Sequence, residues 1–111
     1  MPYSATYLTQ APAREAMDQS RGAVLLEFGT PWCGHCARAA PLVRAALASY
    51  PELPHVKVQD GPGQRLGRSF GVKLWPTLVF LRDGAEVARL VRPQTEGAIA
   101  DALAQISAHT D

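Results

Sequence analysis

The segment Ala23–Phe28 constrains the fold most, because its residues are apolar on both faces of a strand apart from Glu27. A strand with two apolar faces must be covered on both sides, as happens in the middle of a sheet flanked by helices. Elsewhere in the chain, apolar runs alternate with amphipathic ones, which is typical of an α/β fold. We therefore expect one sheet of mixed strand direction with helices on both faces.

Apolar periodicity and proline or glycine stops predict the order β-α-β-α-β-α-β-β-α. The Asp83-Gly84 pair between the last two strands is a hairpin signal. The predicted strands are Tyr3–Leu8, Ala23–Phe28, His55–Gln59, Thr77–Leu81 and Glu86–Val91. The predicted helices are Ala11–Ser20, Cys33–Tyr50, Gln64–Phe70 and a last helix that begins at Thr95.

Length and charge exclude several classes of protein. With 111 residues, 47% of them hydrophobic, residues 1–111 are expected to form a single domain. Eleven basic against ten acidic residues predict no binding to nucleic acid or to an anionic membrane. No apolar run approaches the ~20 residues of a membrane span. The first residues lack the basic and apolar regions of an export signal, so we expect a cytoplasmic protein. Frequent Ala and Arg favour a bacterial source.

The only cysteines are Cys33 and Cys36, where a secreted disulfide scaffold would carry more. They follow the apolar strand and open a predicted helix, on which residues three apart are neighbours. Their sulfur atoms can therefore reach disulfide geometry with little backbone movement. Cys33 would lie at the helix N-terminus, where unpaired N–H groups and the helix dipole favour a thiolate. His35, if protonated, would favour it further.

Three other interpretations of this pair compete with redox chemistry. Half of a zinc site would need further ligands, but the sequence has no second cysteine pair, and His55 and His109 are isolated. Inert core thiols fit poorly with Gly34 and His35 between them at a strand–helix junction. A binding module whose cysteines are unused remains as a third interpretation.

Several motifs occur together in this chain. They are Leu25-Leu26-Glu27-Phe28, Pro31-Trp32-Cys33-Gly34-His35-Cys36, Ala40-Pro41, Gly71-Val72-Lys73-Leu74-Trp75-Pro76-Thr77 and Asp83-Gly84. In this combination the sequence resembles the thioredoxin-fold thiol–disulfide oxidoreductases over most of its length. The resemblance implies a five-stranded sheet of order 1-3-2-4-5 with four helices. Gly34-His35 between the cysteines, and Glu27 where thioredoxins carry Asp, resemble the catalytic domains of protein disulfide isomerase.

The resemblance also implies catalytic roles. Cys33 would be the nucleophile and Cys36 the resolving thiol. Glu27, a carboxylate that is costly to bury unless paired, would accept the proton of Cys36. Lys57 corresponds to a family lysine that approaches this acid, and His35 would act beside the thiols. Ordinary alternatives for the charged residues are a solvated or ion-paired acid at a strand end and a surface lysine.

A substrate groove is implied around Trp32, Gly34, Trp75, Pro76 and Arg92. Pro76 matches the family's cis-proline, which would expose the backbone of Trp75 to an extended substrate segment. Trp75 stands where a small aliphatic residue is common, and it would narrow the groove, bind apolar side chains or only fill space. Arg92 stands where the family usually has Gly. It would stabilise the thiolate, select acidic substrates or be an ordinary surface arginine.

These features predict cytosolic reduction of protein disulfides by the Cys33/Cys36 couple, with no metal and no cofactor beyond that redox-active disulfide. The expected partners are disulfide-containing proteins and a recycling reductant, either a flavoprotein thioredoxin reductase or glutathione. A monomer is expected. The alternatives are a disulfide isomerase or oxidase, and a non-catalytic binding or redox-sensing module.

Overall fold

A computed structural model describes residues 3–107 of the chain. Its four strands are β1 (Ala23–Gly29), β2 (His55–Gln59), β3 (Thr77–Arg82) and β4 (Ala85–Val91). Its four helices are α1 (Arg14–Asp18), α2 (Gly34–Leu47), α3 (Arg65–Ser69) and α4 (Glu96–Ser107). Within residues 3–107 no helix has the length and apolar character needed to cross a bilayer.

The four strands form one mixed sheet in the order β2-β1-β3-β4. β1 runs parallel to β2 and antiparallel to β3, and β4 is the antiparallel partner of β3 at the edge. β1 therefore lies in the interior of the sheet, as its two apolar faces require. Because β1 leads directly to α2, the start of that helix lies at one end of the sheet.

Alternate residues of β1 supply two separate hydrophobic clusters, one on each face of the sheet. Leu25 packs with buried residues of α2 and α4, whereas Val24, Leu26 and Phe28 pack with Met17 and with residues of α3. This alternation follows from the two-residue period of a strand. The predicted α/β fold, one mixed sheet with helices on both faces, is confirmed.

The predicted first strand over Tyr3–Leu8 is wrong, and with it the five-strand count and the order 1-3-2-4-5. Only Leu8 reaches the sheet, through an isolated parallel bridge to Val58 of β2. Its backbone N–H donates to the carbonyl of Lys57, at 2.8 Å. Upstream, the N–H of Ser4 donates to the Nδ1 atom of His55 rather than to a backbone carbonyl. The Ser4 N–H, which a β-strand would donate to a backbone carbonyl, is therefore bound by a side chain.

Three helices are shorter than predicted, and α3, predicted as Gln64–Phe70, is shorter by one residue at each end. The first, predicted as Ala11–Ser20, spans Arg14–Asp18, because Ala13 before it is extended, with ψ of 154°. The second, predicted as Cys33–Tyr50, spans Gly34–Leu47 and has Cys33 as its N-cap. The N-cap residue keeps extended backbone angles while its side chain bonds the first turn.

The turn between β3 and β4 depends on Gly84, which has φ of +82°. A Cβ atom added there would overlap the backbone carbonyl of Asp18. Gly84→Ala should therefore lower the free energy of unfolding by about 3 kcal/mol, through backbone strain and overpacking. Urea denaturation measures this loss.

Gly97→Ala is the matched control for Gly84→Ala. Gly97 lies within α4, and a Cβ atom added there would meet nothing within 4 Å. Alanine should stabilise this exposed helical position by about 0.5–1 kcal/mol. An unchanged stability of Gly84→Ala would contradict the assigned packing of the turn on Asp18.

Candidate active site

The two cysteines flank the first turn of α2 in different environments. Cys33 is partly exposed, whereas Cys36 is buried, with 2% of its surface accessible. The sulfur of Cys33 caps the helix by accepting a hydrogen bond from the backbone N–H of Cys36, at 3.1 Å. A sulfur that accepts an N–H at a helix N-terminus is in a position that favours negative charge. The geometry makes Cys33 the accessible thiol and Cys36 the internal one.

Burial raises the pKa of the Cys36 thiol to about 11, and its hydrogen bond with Cys33 acts in the same direction. A backbone hydrogen bond from Thr30 and a hydrogen bond from the hydroxyl of Tyr7 partly offset this rise by lowering that pKa. At neutral pH, Cys36 is therefore protonated, and it must lose its proton before it can attack a disulfide.

Tyr7 is a neighbour of Cys36 that sequence reasoning missed. A Cβ atom added at Gly29 would lie 2.6 Å from the Cys36 sulfur and 3.0 Å from the Tyr7 hydroxyl oxygen. Burial, followed by the hydrogen bond to Cys36, raises the pKa of Tyr7 well above its usual range. Tyr7 therefore keeps its proton and donates it in the hydrogen bond to Cys36. No motif marks this residue, because it comes from the irregular segment before α1.

Glu27 is buried in β1, with 1% of its surface accessible, and its partner is His55 of β2. The Nε2 atom of His55 lies 2.7 Å from Oε1 of Glu27. Because Ser4 N–H donates to Nδ1 of His55 at 2.9 Å, the ring carries its proton on Nε2 and donates it to Glu27. The other carboxylate oxygen, Oε2, has no hydrogen-bond partner among residues 3–107.

Lys57 lies directly opposite Glu27 in the register of β1 and β2, but its ammonium group makes no ion pair with that carboxylate. Its Nζ atom lies instead 4.5 Å from the centre of the Tyr7 ring and 5.8 Å from that of Tyr3. Aromatic faces attract a cation at such distances. His55 makes the hydrogen bond to Glu27, and the Lys57 ammonium lies over the rings of two tyrosines of the N-terminal segment.

A cavity of about 440 Å³ lies behind the buried thiol, between α2, β2 and the N-terminal segment. Cys36, Tyr7, Lys57 and Thr30 are among the residues that line it. Cys36 thus has a route for water, and for its proton, that does not pass Cys33.

The loop before β3 and the end of β4 meet beside Cys33. The Trp75–Pro76 peptide bond is cis, as the resemblance predicts. The carbonyl oxygen of Trp75 lies 3.9 Å from the Cys33 sulfur. The same oxygen accepts a hydrogen bond from Nε of Arg92, at 2.8 Å. The Cys33 sulfur and the Arg92 guanidinium therefore lie against the same carbonyl oxygen.

The remaining predicted groove residues surround Cys33 on its solvent side. Trp32 is 71% exposed, so it is not a core residue. Gly34 and His35 are exposed on the first turn of α2, and nothing lies within 4 Å of a Cβ added at Gly34. Trp75 is half-buried, and its indole Nε1–H donates to Oδ2 of Asp60, at 2.9 Å. Asp60, which directly follows β2, is not among the predicted groove residues.

Within residues 3–107, no three or more His, Cys, Asp or Glu side chains lie close enough together to hold a metal ion. His55, considered above as an isolated histidine, is the partner of Glu27. His109 lies outside the described residues.

Comparisons with known proteins agree with this geometry. The family model described as Thioredoxin matches residues 4–105. The solved structure of thioredoxin 2 from Pseudomonas aeruginosa PAO1, in its reduced form, is similar with a TM-score of 0.83 and 54% identity. That match covers 94% of this chain and 97% of the other.

Two curated proteins are also similar. Thioredoxin from Chlamydia muridarum is 37% identical over 70 residues, which are 63% of this chain and 69% of that protein. Protein disulfide-isomerase A3 from Gallus gallus is 36% identical over 97 residues, which are 86% of this chain. This chain spans only 19% of that isomerase's length.

The buried Glu27–His55 pair yields a stability prediction. His55→Leu leaves the Glu27 carboxylate without a hydrogen bond in the core, so the free energy of unfolding should fall by about 3 kcal/mol. The double variant Glu27→Leu/His55→Leu removes both polar groups, and it should recover most of that loss. Urea denaturation of the three proteins measures both effects.

A control for this pair is Asp18→Asn, which breaks the solvent-exposed ion pair with Arg14. Its cost should stay below about 1 kcal/mol. A double variant no more stable than His55→Leu would show that an unpaired carboxylate is not the cause of the loss.

Proposed function

This chain belongs to the thioredoxin family, and we propose that it reduces protein disulfides through its Cys33–Cys36 couple. The family match confirms the predicted class, thiol–disulfide oxidoreductase. The observation that carries the proposal is the division of labour between an exposed, helix-capping Cys33 and a buried, hydrogen-bonded Cys36. The similarity to thioredoxin 2, which extends over 97% of that chain, supports a thioredoxin-type activity.

The reaction proceeds in two exchanges. The Cys33 thiolate attacks one sulfur of the substrate disulfide, a Cys33–substrate disulfide forms, and the other substrate sulfur leaves as a thiolate. Cys36 then loses its proton and attacks the Cys33 sulfur. The Cys33–Cys36 disulfide forms and the second substrate thiolate leaves. Two electrons have passed to the substrate.

The environment of Cys36 controls the second exchange. We assign Oε2 of Glu27 as the proton acceptor, because it is buried and has no hydrogen-bond partner among the described residues. The hydroxyl of Tyr7 stabilises the thiolate once it forms, since it donates to that sulfur.

The groove in front of Cys33 would hold the substrate. We assign Trp32 and Gly34 to its rim, where a large exposed indole lies beside open space. Trp75 and cis-Pro76 would form the opposite side, against which an extended segment could align.

Recycling requires a two-electron reductant outside this chain. A flavoprotein thioredoxin reductase or glutathione has the required chemistry. We propose that the chain acts as a monomer and as one domain in the cytoplasm. A single cysteine pair placed at the active site suits a reducing compartment, where structural disulfides do not persist.

A second candidate function is disulfide isomerisation. The Gly34-His35 dipeptide between the cysteines favours it, as does the 36% identity to protein disulfide-isomerase A3. An isomerase needs only the first exchange, because the freed substrate thiol can itself displace Cys33.

Cys36→Ser tests the proposed reduction. On a disulfide-containing protein, this variant should accumulate a one-to-one adduct through Cys33 that dithiothreitol releases, and turnover should fall about a thousandfold. Mass spectrometry and a thiol-release assay measure these outcomes. Cys33→Ser should form no adduct, because the remaining thiol is buried and protonated at neutral pH.

Turnover that survives in Cys33→Ser would overturn the proposed function. The same variants separate the two candidates on a scrambled protein. If Cys36→Ser restores native pairing at the wild-type rate while reduction is lost, the chain is an isomerase.

Tyr7→Phe tests the thiolate donor. Loss of its hydrogen bond should raise the pKa of Cys36 further, by about 1. The second exchange should then slow about tenfold at neutral pH, because fewer molecules carry the Cys36 thiolate. In both proteins the rate should rise about tenfold per pH unit while the pH stays well below the pKa of Cys36, because only the thiolate attacks.

The measurement for Tyr7→Phe is the rate of product release from the Cys33 mixed disulfide as a function of pH. Tyr50→Phe is the matched control, since Tyr50 packs against the cluster on the α2 and α4 face. A release rate in Tyr7→Phe equal to that of the wild-type chain, or a rate that does not change with pH, would contradict the assigned role.

A further inference from the structure

A second cavity, about 460 Å³ in volume, opens beside the first turns of α2, on the side of Cys33. Its polar lining is basic: His35 and Arg38 of α2, and Arg92 from the loop after β4. Ala39, Leu42, Pro93 and Gln94 complete the lining, so no acidic side chain faces it among the described residues. We call this cavity the basic pocket.

The nitrogen donors of the basic pocket are available for a ligand. Arg38 and His35 are exposed, and their side chains have no hydrogen-bond or ion-pair partner among residues 3–107. Arg92 uses Nε on the Trp75 carbonyl, which leaves its two terminal amino groups for a second acceptor. A planar guanidinium suits a carboxylate, because it can donate two parallel N–H bonds to both oxygens.

The backbone conformation at Arg92 indicates that the arginine side chain has a functional role at this position. Its φ of +52° lies in the left-handed region, where a residue with a Cβ is strained and glycine is not. Its N–H donates to the carbonyl of Pro76 at 2.9 Å, and its Nε donates to that of Trp75 at 2.8 Å. These two bonds fix the guanidinium at the edge of the groove.

We infer that the basic pocket binds an acidic side chain of the substrate protein, next to the cysteine that Cys33 attacks. This inference rests on the proposed function. Trp75 joins the two sites, because its carbonyl oxygen contacts both the Cys33 sulfur and Arg92. An extended chain advances about 3.3 Å per residue, so an Asp or Glu one or two positions from the attacked cysteine reaches the pocket. A polypeptide held at Cys33 supplies such a neighbour at high effective concentration.

The test uses three disulfide-linked peptides that differ only at the residues on both sides of the cysteine: Glu, Gln or Lys. The wild-type chain should show a kcat/KM about fivefold higher for the Glu peptide than for the Gln peptide at low salt. High salt should reduce this preference, because the pocket is open to solvent.

Arg38→Gln should reduce the preference for the Glu peptide to about twofold, and Arg38→Glu should reverse it in favour of the Lys peptide. Arg38 is suitable because its exposed side chain bonds nothing in the described part of the chain. The matched control is Arg21→Gln, which makes the same change of charge before β1, at the opposite end of the sheet from Cys33. It should keep the fivefold preference. Equal kcat/KM on all three peptides, or an unchanged preference in Arg38→Glu, would overturn the inference.

A binding measurement separates this inference from the proposed function. The Glu peptide with Ser in place of Cys should shift the side-chain N–H resonances of Arg38 and Arg92, whether or not the chain reduces disulfides. Binding without reduction of any peptide would overturn the proposed function alone. Reduction without a preference or a shift would overturn the basic pocket alone. If Arg38→Gln slows only the reduction of oxidised glutathione, the pocket takes a free carboxylate and the protein substrate is wrong.

Discussion

The burial of β1 on both faces is the constraint on which the rest of this structure depends. It requires helices on each side of the sheet. Side chains of these helices and of the strands form one hydrophobic cluster on each face. It also directs the chain from the end of β1 straight into α2, so that Cys33 caps a helix whose axis starts at the sheet's end. The same strand carries Glu27 into the core. One buried strand therefore positions both the attacking sulfur and the acid behind it.

The asymmetry of the two sulfurs follows from α-helical geometry. Cys33, as the N-cap, points its sulfur back over the first turn, where the Cys36 N–H needs an acceptor. Cys36 lies one turn inside and points into the protein, where burial raises its pKa to about 11. A thiol that is mostly protonated cannot compete with Cys33 for substrate. The order of the two exchanges is therefore built into the local fold.

Local patterns predicted much of the fold and the position of the two cysteines at a helix start. They failed for contacts between residues that are distant in sequence. Both faces of β1, the hairpin at Gly84 and the Cys33–Cys36 helix start can be predicted from short segments. Whether residues 3–8 join the sheet depends on whether their N–H groups bond backbone carbonyls or side chains. The N–H of Ser4 donates to the side chain of His55.

At the active site, too, contacts between residues distant in sequence could not be predicted. The sequence predicted Glu27 as a buried acid, but nothing local indicated that His55 would pair with it. Family analogy assigned Lys57 beside Glu27, and the strand register places it there, but its ammonium group lies over the aromatic rings of Tyr3 and Tyr7. Tyr7 itself has no motif, because its role comes from a contact with the sulfur of Cys36, far along the chain.

The two cavities at the active site lie on separate faces of α2, and each is proposed to act on a different step of the reaction. The cavity behind Cys36 includes Ala37 and Ala40 of that helix, whereas the basic pocket includes Arg38 and Leu42. At about 100° per residue these are different sides of the helix, and the two cavities share no lining residue. In the proposed mechanism, the first cavity governs when Cys36 gives up its proton, and the second governs which protein reaches Cys33. Because sites without shared partners contribute additively, substrate preference can change in this fold without altering the proton transfer that completes each turnover.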